Sequence, residues 1–276
     1  MKKIALVLGL VGLVWLPAVA HATPQPLPFS YVYETLPKGS IEVETYADYT
    51  PLRATSSSTG NLTYYGASQF QTEFEYGITD RLELGLYVTW VPTPSGVAPD
   101  SVSRLTEGNG LKERLRLRLA EPGQWPLDVG LYGEVVENDV EIELEGKILL
   151  QRRIGDLRLV ANLWGELEYN LDAPNGVLGT HDWVINPTVG ATYQVTPQFH
   201  PGIEGWLRAE YPIPSPLTRT FSLGPAAYIG PTCMFDFGNF WFSSGVYLRG
   251  TNFGRSPQPG DTYGSVWGRL IVGLSF

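Results

Sequence analysis

The feature that most constrains this chain is an alternation of apolar and charged side chains that recurs from residue 40 to the last residue. In the segment 111–119, leucine occupies most odd positions, while Lys112, Arg114, Arg116 and Arg118 occupy the even ones. Successive side chains of a strand point to opposite faces of the sheet, so this period of two indicates a strand. The segment is predicted to present one apolar face and one basic face.

The same pattern recurs with the opposite sign of charge in residues 140–150, where Glu141, Glu143 and Glu145 alternate with apolar residues. Applied along the chain, the analysis predicts about twelve strands of order ten residues each, the length that a tilted strand needs to cross a membrane. The predicted strands are 40–49, 66–76, 82–91, 111–119, 127–136, 140–151, 156–169, 183–195, 201–211, 221–235, 239–249 and 263–276.

The connections between these strands alternate between short and long. Short turns are predicted at 77–81, 152–155, 196–199 and 236–238, and longer connections rich in Pro, Gly, Ser and Thr at 50–65, 92–110, 170–182, 212–220 and 250–262. Short turns at one end and long loops at the other are typical of an outer-membrane barrel. Because proline removes a donor from the hydrogen-bond ladder, bulges or bends are expected at Pro187, Pro225 and Pro231.

The first 22 residues have the pattern of a secretory signal peptide. Two lysines precede an apolar run from Ile4 to Ala20, and Ala20-His21-Ala22 forms an A-x-A site, which predicts cleavage after Ala22. A membrane helix is the alternative, but a run of about 17 residues is near the lower limit for spanning. We therefore predict a signal peptide at 1–22 and a barrel at 23–276.

The charge of the chain restricts its partners. Removing the signal peptide with its two lysines takes the formal net charge from −9 to −11. Nucleic acid is not expected as a partner, because a phosphate backbone requires a basic surface. The only cysteine, Cys233, excludes an intramolecular disulfide.

A soluble β-sandwich would also alternate, but its strands are typically shorter. Two further features favour a barrel. Aromatic residues recur near the strand ends on the apolar face, where an interfacial girdle requires them; they are Tyr49, Tyr76, Trp90, Tyr169, Trp183, Tyr193, Tyr211, Phe235 and Phe240. The last strand ends on Phe276, which resembles the signal that the outer-membrane assembly machinery recognises.

We therefore predict an all-β fold: an antiparallel transmembrane β-barrel of about twelve strands in a bacterial outer membrane. Its expected partners are the lipid bilayer and the assembly machinery. Closure is expected because no backbone group can remain unpaired in hydrocarbon.

If the apolar faces contact lipid, the intervening positions line the interior. The predicted lumen-lining residues are Lys112, Arg114, Arg116, Arg118, Glu141, Glu143, Glu145, Arg158, Glu166, Trp206, Arg208 and Arg269. Two interpretations remain open. The charges pair with one another and fill a narrow interior, or they line a water-filled pore that steers charged or polar solutes. Interior aromatics such as Trp206 could also bind a flat or aromatic solute.

The stretch 73–86, Glu-Phe-Glu-Tyr-Gly-Ile-Thr-Asp-Arg-Leu-Glu-Leu-Gly-Leu, resembles the strand–turn–strand unit of a family of outer-membrane barrels associated with the meta-pathway of phenol degradation. The segment 38–44, a Gly turn followed by a strand, is similar to the start of those barrels. The resemblance covers about fifty residues, mainly 38–86. It implies a barrel of this kind and a role in moving small, often aromatic, compounds.

Enzymatic signatures are not found in the sequence. Nucleophilic catalysis requires a nucleophile, a base and an orienting group, and the two histidines of the mature chain, His181 and His200, fall in separate connections without a serine motif. No P-loop, dinucleotide fingerprint or metal-ligand spacing is found, so no cofactor and no metal are expected. The expected function is a narrow channel or transporter for small solutes. The alternatives are a non-conducting structural, adhesive or sensing barrel, and a barrel lipid hydrolase.

Overall fold

The computed structural model describes residues 23–56, 62–92, 109–138, 141–171, 181–213, 223–250 and 264–276. The described residues from Ile41 onwards form a single antiparallel sheet. Its strands are β1 (Ile41–Ser56), β2 (Leu62–Gly77), β3 (Leu82–Trp90), β4 (Gly110–Arg118), β5 (Asp128–Asn138), β6 (Glu141–Ile154), β7 (Leu157–Asn170), β8 (His181–Ile185), β9 (Thr188–Tyr193), β10 (Phe199–Ile213), β11 (Leu223–Asp236), β12 (Phe240–Arg249) and β13 (Val266–Ser275).

The sheet closes on itself because β1 pairs with β13, in a register that sets Glu42 opposite Ser275. The short strands β8 and β9 both pair with β7 and with β10, so together they occupy one position in the wall. The wall therefore has twelve positions, and the predicted all-β antiparallel barrel of about twelve strands is confirmed. The described residues contain no helix long and apolar enough to cross a membrane.

The period of two in the sequence places alternate side chains inside and outside the barrel. In β4, Lys112, Arg114 and Arg116 are buried in the interior, whereas Leu111 and Leu115 are about half exposed on the outer wall. The same division holds in β3, β5 and β6. Large apolar side chains thus cover the outside of the barrel, and its interior is polar and charged.

The prolines in the strands behave in three different ways. Pro187 lies in the gap between β8 and β9. Pro225 coincides with a register shift, since Arg208 pairs with Ala226 but Glu210 pairs with Leu223, and the expected bulge is confirmed there. At Pro231 the ladder between β11 and β12 skips two residues without a change of register. Proline removes one donor in each case, and the backbone adjusts by a break, a bulge or a gap.

The two ends of the barrel differ. The turns 78–81, 119–127, 155–156, 194–198 and 237–239 lie at one end, which we call the turn end. The connections at the loop end include 57–61, 93–108, 139–140, 172–180, 214–222 and 251–263, which lie outside the described residues. The predicted signal peptide, 1–22, also lies outside them. Strands β1 and β2 are 16 residues each, longer than predicted, because their hairpin stays paired up to Ser56 and Leu62.

Residues 23–38, which we call the lumen segment, are not part of the wall. Leu27, Phe29, Val32 and Leu36 are almost fully buried, and the segment contacts strands on several sides of the interior. It meets β1 through Gly39, whose φ of +84° is a conformation that favours glycine. The predicted barrel domain therefore comprises a wall from Ile41 onwards and an internal segment.

Candidate functional site: the barrel interior

The twelve predicted lumen residues differ in how deeply they are buried. Those that are buried are Lys112, Arg114, Arg116, Glu141, Glu143, Glu166, Trp206 and Arg208. Those that are half-buried are Arg118, Glu145, Arg158 and Arg269. Arg118 and Arg158 lie towards the turn end, where Arg118 pairs with Glu121 at 3.1 Å and Arg158 approaches Glu34 at 3.7 Å.

Arg114 is the centre of a dense ion-pair network. Its Nε lies 2.5 Å from Glu73 and its Nη1 lies 2.6 Å from Glu83, while its Nη2 contacts Glu75. Arg116 also pairs with Glu83, at 2.5 Å. The cross-strand register between β2, β3 and β4 brings these side chains together on the inner face. Buried charges require such pairing, because an isolated one is costly to remove from water.

A second network surrounds Arg208 towards the loop end. Arg208 bridges three carboxylates, those of Glu166 at 2.8 Å, Glu168 at 2.5 Å and Glu210 at 3.1 Å. Glu141, Glu143 and Glu168 bring carboxylate oxygens within 4.8 Å of one another, as do Glu44, Glu73 and Glu75. Arg208 contacts Glu168 of the first group, and Arg114 contacts Glu73 and Glu75 of the second.

Lys147 lies in a cage of aromatic rings. Its Nζ is 3.6 Å from the ring centroid of Trp164, 4.0 Å from that of Tyr132 and 4.1 Å from that of Tyr31, and it pairs with Glu145 at 2.5 Å. Aromatic faces attract a cation, and Tyr31 belongs to the lumen segment. The cage therefore ties the lumen segment to β5, β6 and β7.

Hydrogen bonds position the backbone of the lumen segment. Tyr31 N–H donates to Asn162 Oδ1 at 2.7 Å, and Asn162 Nδ2 donates to Tyr31 O at 3.0 Å. Phe29 N–H donates to both carboxylate oxygens of Glu204 at 3.1 Å, and Leu36 N–H donates to Glu83 at 2.6 Å. Side chains of the wall thus replace the partners that a strand would give this backbone.

Aromatic packing fills the barrel around the middle of the segment. Phe29 packs against Trp206, with ring centroids 4.8 Å apart, and edge-on against Tyr247 and Trp267. Trp206 stacks on Tyr228 at 4.2 Å. Since Phe29 contacts Trp267 of β13 while Tyr31 contacts Tyr132 of β5, the segment spans the cross-section of the interior.

Small cavities remain on either side of the segment. One of about 50 Å³ lies between Phe29, the tryptophans 164, 206 and 267, and the two arginines 208 and 269. The indole N–H groups of Trp164 and Trp206 and Oδ1 of Asn186 are buried there without a hydrogen-bond partner. A polar cavity of this size is large enough for a few water molecules. A second cavity, of about 260 Å³, opens at the turn end beside Pro24 and Arg158.

The predicted strand pattern did not reveal the lumen segment, although its sequence contains a signal. Residues 23–38 contain four prolines, at 24, 26, 28 and 37, and no hairpin partner follows them, so they do not form a strand of the wall. The aromatic residues Phe29, Tyr31 and Tyr33 nevertheless make this stretch too apolar for a solvated linker. The candidate catalytic histidines are separated, since His181 begins β8 at the loop end and His200 lies beside the 194–198 turn.

Comparison with solved structures identifies the architecture. No protein-family profile and no curated protein sequence matches the chain. The chain is similar in structure to the COG4313 outer membrane channel from Pseudomonas putida F1, with 14% identity, a TM-score of 0.55, and coverage of 88% of this chain and 98% of that channel. This chain has the fold of outer-membrane channel barrels. It is also similar to the NanC porin, with 11% identity, a TM-score of 0.50, and coverage of 86% and 98%.

Proposed function

We propose that this protein is an outer-membrane channel for small solutes, closed at rest by the lumen segment. The observation on which the proposal depends is that the segment contacts opposite sides of the interior, with Phe29 packed against Trp267 of β13 and Tyr31 packed against Tyr132 of β5. Interiors that are plugged by a segment of the chain occur among transmembrane barrels. The similarity in fold to outer-membrane channels supports the proposal.

The outer wall supports a membrane location. Leu86, Val88, Leu115, Leu144 and Leu163 are among the exposed apolar side chains, and large exposed apolar surfaces require an apolar environment. Among the aromatics predicted near strand ends, those exposed on the outside are Tyr49, Tyr76, Trp90, Tyr169, Trp183, Tyr193 and Phe240. Amphipathic rings at strand ends are stable at the level of lipid headgroups.

The interior charge indicates which solutes would pass. Among the described residues, 13 buried carboxylates face seven buried lysines and arginines. After displacement of the lumen segment, this excess of negative charge would favour cations over anions. Neutral solutes with an aromatic part could also pass, because Trp206, Tyr228 and Trp267 would then border the path. The likeness of residues 73–86 to barrels linked to phenol degradation is compatible with such solutes.

The decisive experiment measures single-channel current in planar bilayers. One variant replaces residues 27–33 by glycine and serine at equal length, which keeps the tether but removes the contacts of Phe29 and Tyr31. The expected result is little current from the wild type, and frequent, cation-selective openings from the variant. A matched control replaces the exposed turn residues 122–125 by glycine and serine. Heat-dependent gel mobility checks that each barrel is folded.

A non-conducting barrel is the second candidate. It is favoured by the ion pairs of Arg114 and Arg208, which hold wall charges to one another. If the folded glycine–serine variant passes no current, the channel proposal fails and this candidate takes its place. We further propose that the protein is not an enzyme, and release of fatty acid from phospholipid vesicles by the purified protein would contradict this.

A further inference from the structure

Glu42 is a buried carboxylate that forms no ion pair with a side chain of the described residues. It is fully buried in β1, near the turn end of the barrel. It accepts a hydrogen bond from Trp241 Nε1, and the backbone nitrogen of Thr23 lies 3.0 Å from its Oε2. Within the described ranges, no lysine, arginine or histidine forms an ion pair with it.

The lack of an ion pair is unusual in the surroundings of Glu42. The buried carboxylates near it on β1, β2 and β3 are Glu44, Glu73, Glu75 and Glu83. Arg114 and Arg116 form their ion pairs with the acids of β2 and β3, and Arg116 attracts Glu42 only from beyond ion-pair distance. Glu42 also lies directly opposite Glu75 in the strand register, and like charges at such positions repel each other. A buried anion in this setting would be stabilised by a nearby cation.

We infer that the α-ammonium group of the mature chain is the cation that pairs with Glu42. Hydrolysis of the Ala22–Thr23 bond at the A-x-A site would add water across that bond, leaving a carboxylate on Ala22 and an amine on Thr23. An α-amine ordinarily has a pKa of about 7.7–8.0 and is mostly protonated at neutral pH. The nitrogen that becomes charged is the one that lies 3.0 Å from Glu42.

The ion pair anchors the beginning of the lumen segment at the turn end. The other end of the segment is held there too, since Lys38 N–H donates to Asp80 at 3.0 Å and Leu36 N–H donates to Glu83. Removal of the signal peptide would thus complete the attachment of the segment inside the barrel. This inference requires the segment to lie in the lumen but does not depend on the barrel conducting.

The first test combines N-terminal sequencing with chemical labelling of protein purified from membranes. The sequence is expected to begin at Thr23, and any other start would overturn the inference. The folded protein is then treated with N-hydroxysuccinimide acetate, and mass spectrometry follows acetylation of the α-amine. Because a charge-assisted hydrogen bond protects the amine, its acetylation is expected to be about tenfold slower in the wild type than in Glu42→Gln. Equal rates in the two folded proteins would also overturn it.

A double-mutant cycle separates the ion pair from general loosening of the segment. Chains that begin at Thr23, or carry Gly-Ser ahead of it, are refolded in detergent, and the urea midpoint of unfolding is measured. The extension moves the ammonium away, so it is expected to lower the midpoint in the wild type but not in Glu42→Gln. Glu204→Gln is the matched control, since Glu204 accepts a hydrogen bond from Phe29 of the same segment. In this variant the extension is expected to lower the urea midpoint as it does in the wild type. An extension that lowers the urea midpoint equally in the wild type, Glu42→Gln and Glu204→Gln would contradict the inference.

Discussion

The backbone N–H of Phe29 donates to both carboxylate oxygens of Glu204, across 175 residues of sequence. The hydroxyl of Tyr247 donates to the same carboxylate, and the Arg269 guanidinium lies 3.8 Å from the centre of the Phe29 ring. One buried acid of the wall therefore sets the position at which the lumen segment crosses the barrel. If the segment closes the path, Glu204 controls how firmly it does so.

Replacement of Glu204 by glutamine should weaken the closed state. The amide keeps the size of the side chain but loses its charge, and a hydrogen bond to a charged group is worth about 1.5–3 kcal/mol. Brief openings are expected to become about tenfold more frequent in planar-bilayer recordings. The control is Glu121→Gln at the exposed turn end. Recordings of Glu204→Gln that remain as silent as the wild type would count against gating by this contact.

Loss of the Arg114 network should destabilise the barrel far more than loss of a surface pair. Arg114→Met leaves three buried carboxylates short of a partner, and breaking a buried pair from one side costs about 3–5 kcal/mol. Arg81→Met removes an exposed pair with Glu121, for which about 0–1 kcal/mol is expected. Urea unfolding in detergent micelles compares the two. Similar decreases in the free energy of unfolding for Arg114→Met and Arg81→Met would show that the interior charges are hydrated.

Glycine is required at position 230, where the adjacent strands β11 and β12 approach each other closely. A Cβ on Gly230 would lie 1.8 Å from the carbonyl oxygen of Val246, whereas one on Gly133 would meet nothing within 4 Å. Gly230→Ala must therefore separate β11 from β12, and the yield of folded barrel is expected to fall severalfold because backbone atoms cannot move aside singly. Gly133→Ala should fold normally. The heat-shifted band on unboiled gels measures both yields, and equal yields would contradict this geometry.

The terminal phenylalanine should matter for assembly rather than for stability. The side chain of Phe276 is about half exposed on the outer wall, and its backbone N–H donates to Ile41 O at 2.9 Å. Phe276→Ala keeps that bond, so refolding in detergent should be nearly unchanged. In cells, the amount of folded protein in the outer membrane is expected to fall several-fold, with Leu274→Ala, an equally outward residue, as the control. Normal assembly of Phe276→Ala would refute a signal role.

Local alternation was sufficient to predict the wall because strand geometry converts each second position into a face. Leu115 and Arg116 could be assigned to opposite faces without knowing any neighbour. The turns were also predictable, since glycine and proline mark them locally, as at Gly155 with its φ of +59°. The partner of each interior charge was not predictable, because the pairing of Arg114 with Glu73 joins residues 41 positions apart.

The sequence by itself determined that this chain forms a closed barrel with an apolar outside and a charged inside, since the period of two and the strand lengths are local properties. Only the tertiary structure decided that residues 23–38 return into that barrel. No periodicity encodes this placement, because the partners of the segment, such as Asn162 and Glu204, come from strands far along the chain. They become neighbours only when the sheet closes and leaves a space that buried carboxylates, amides and aromatic rings can fill.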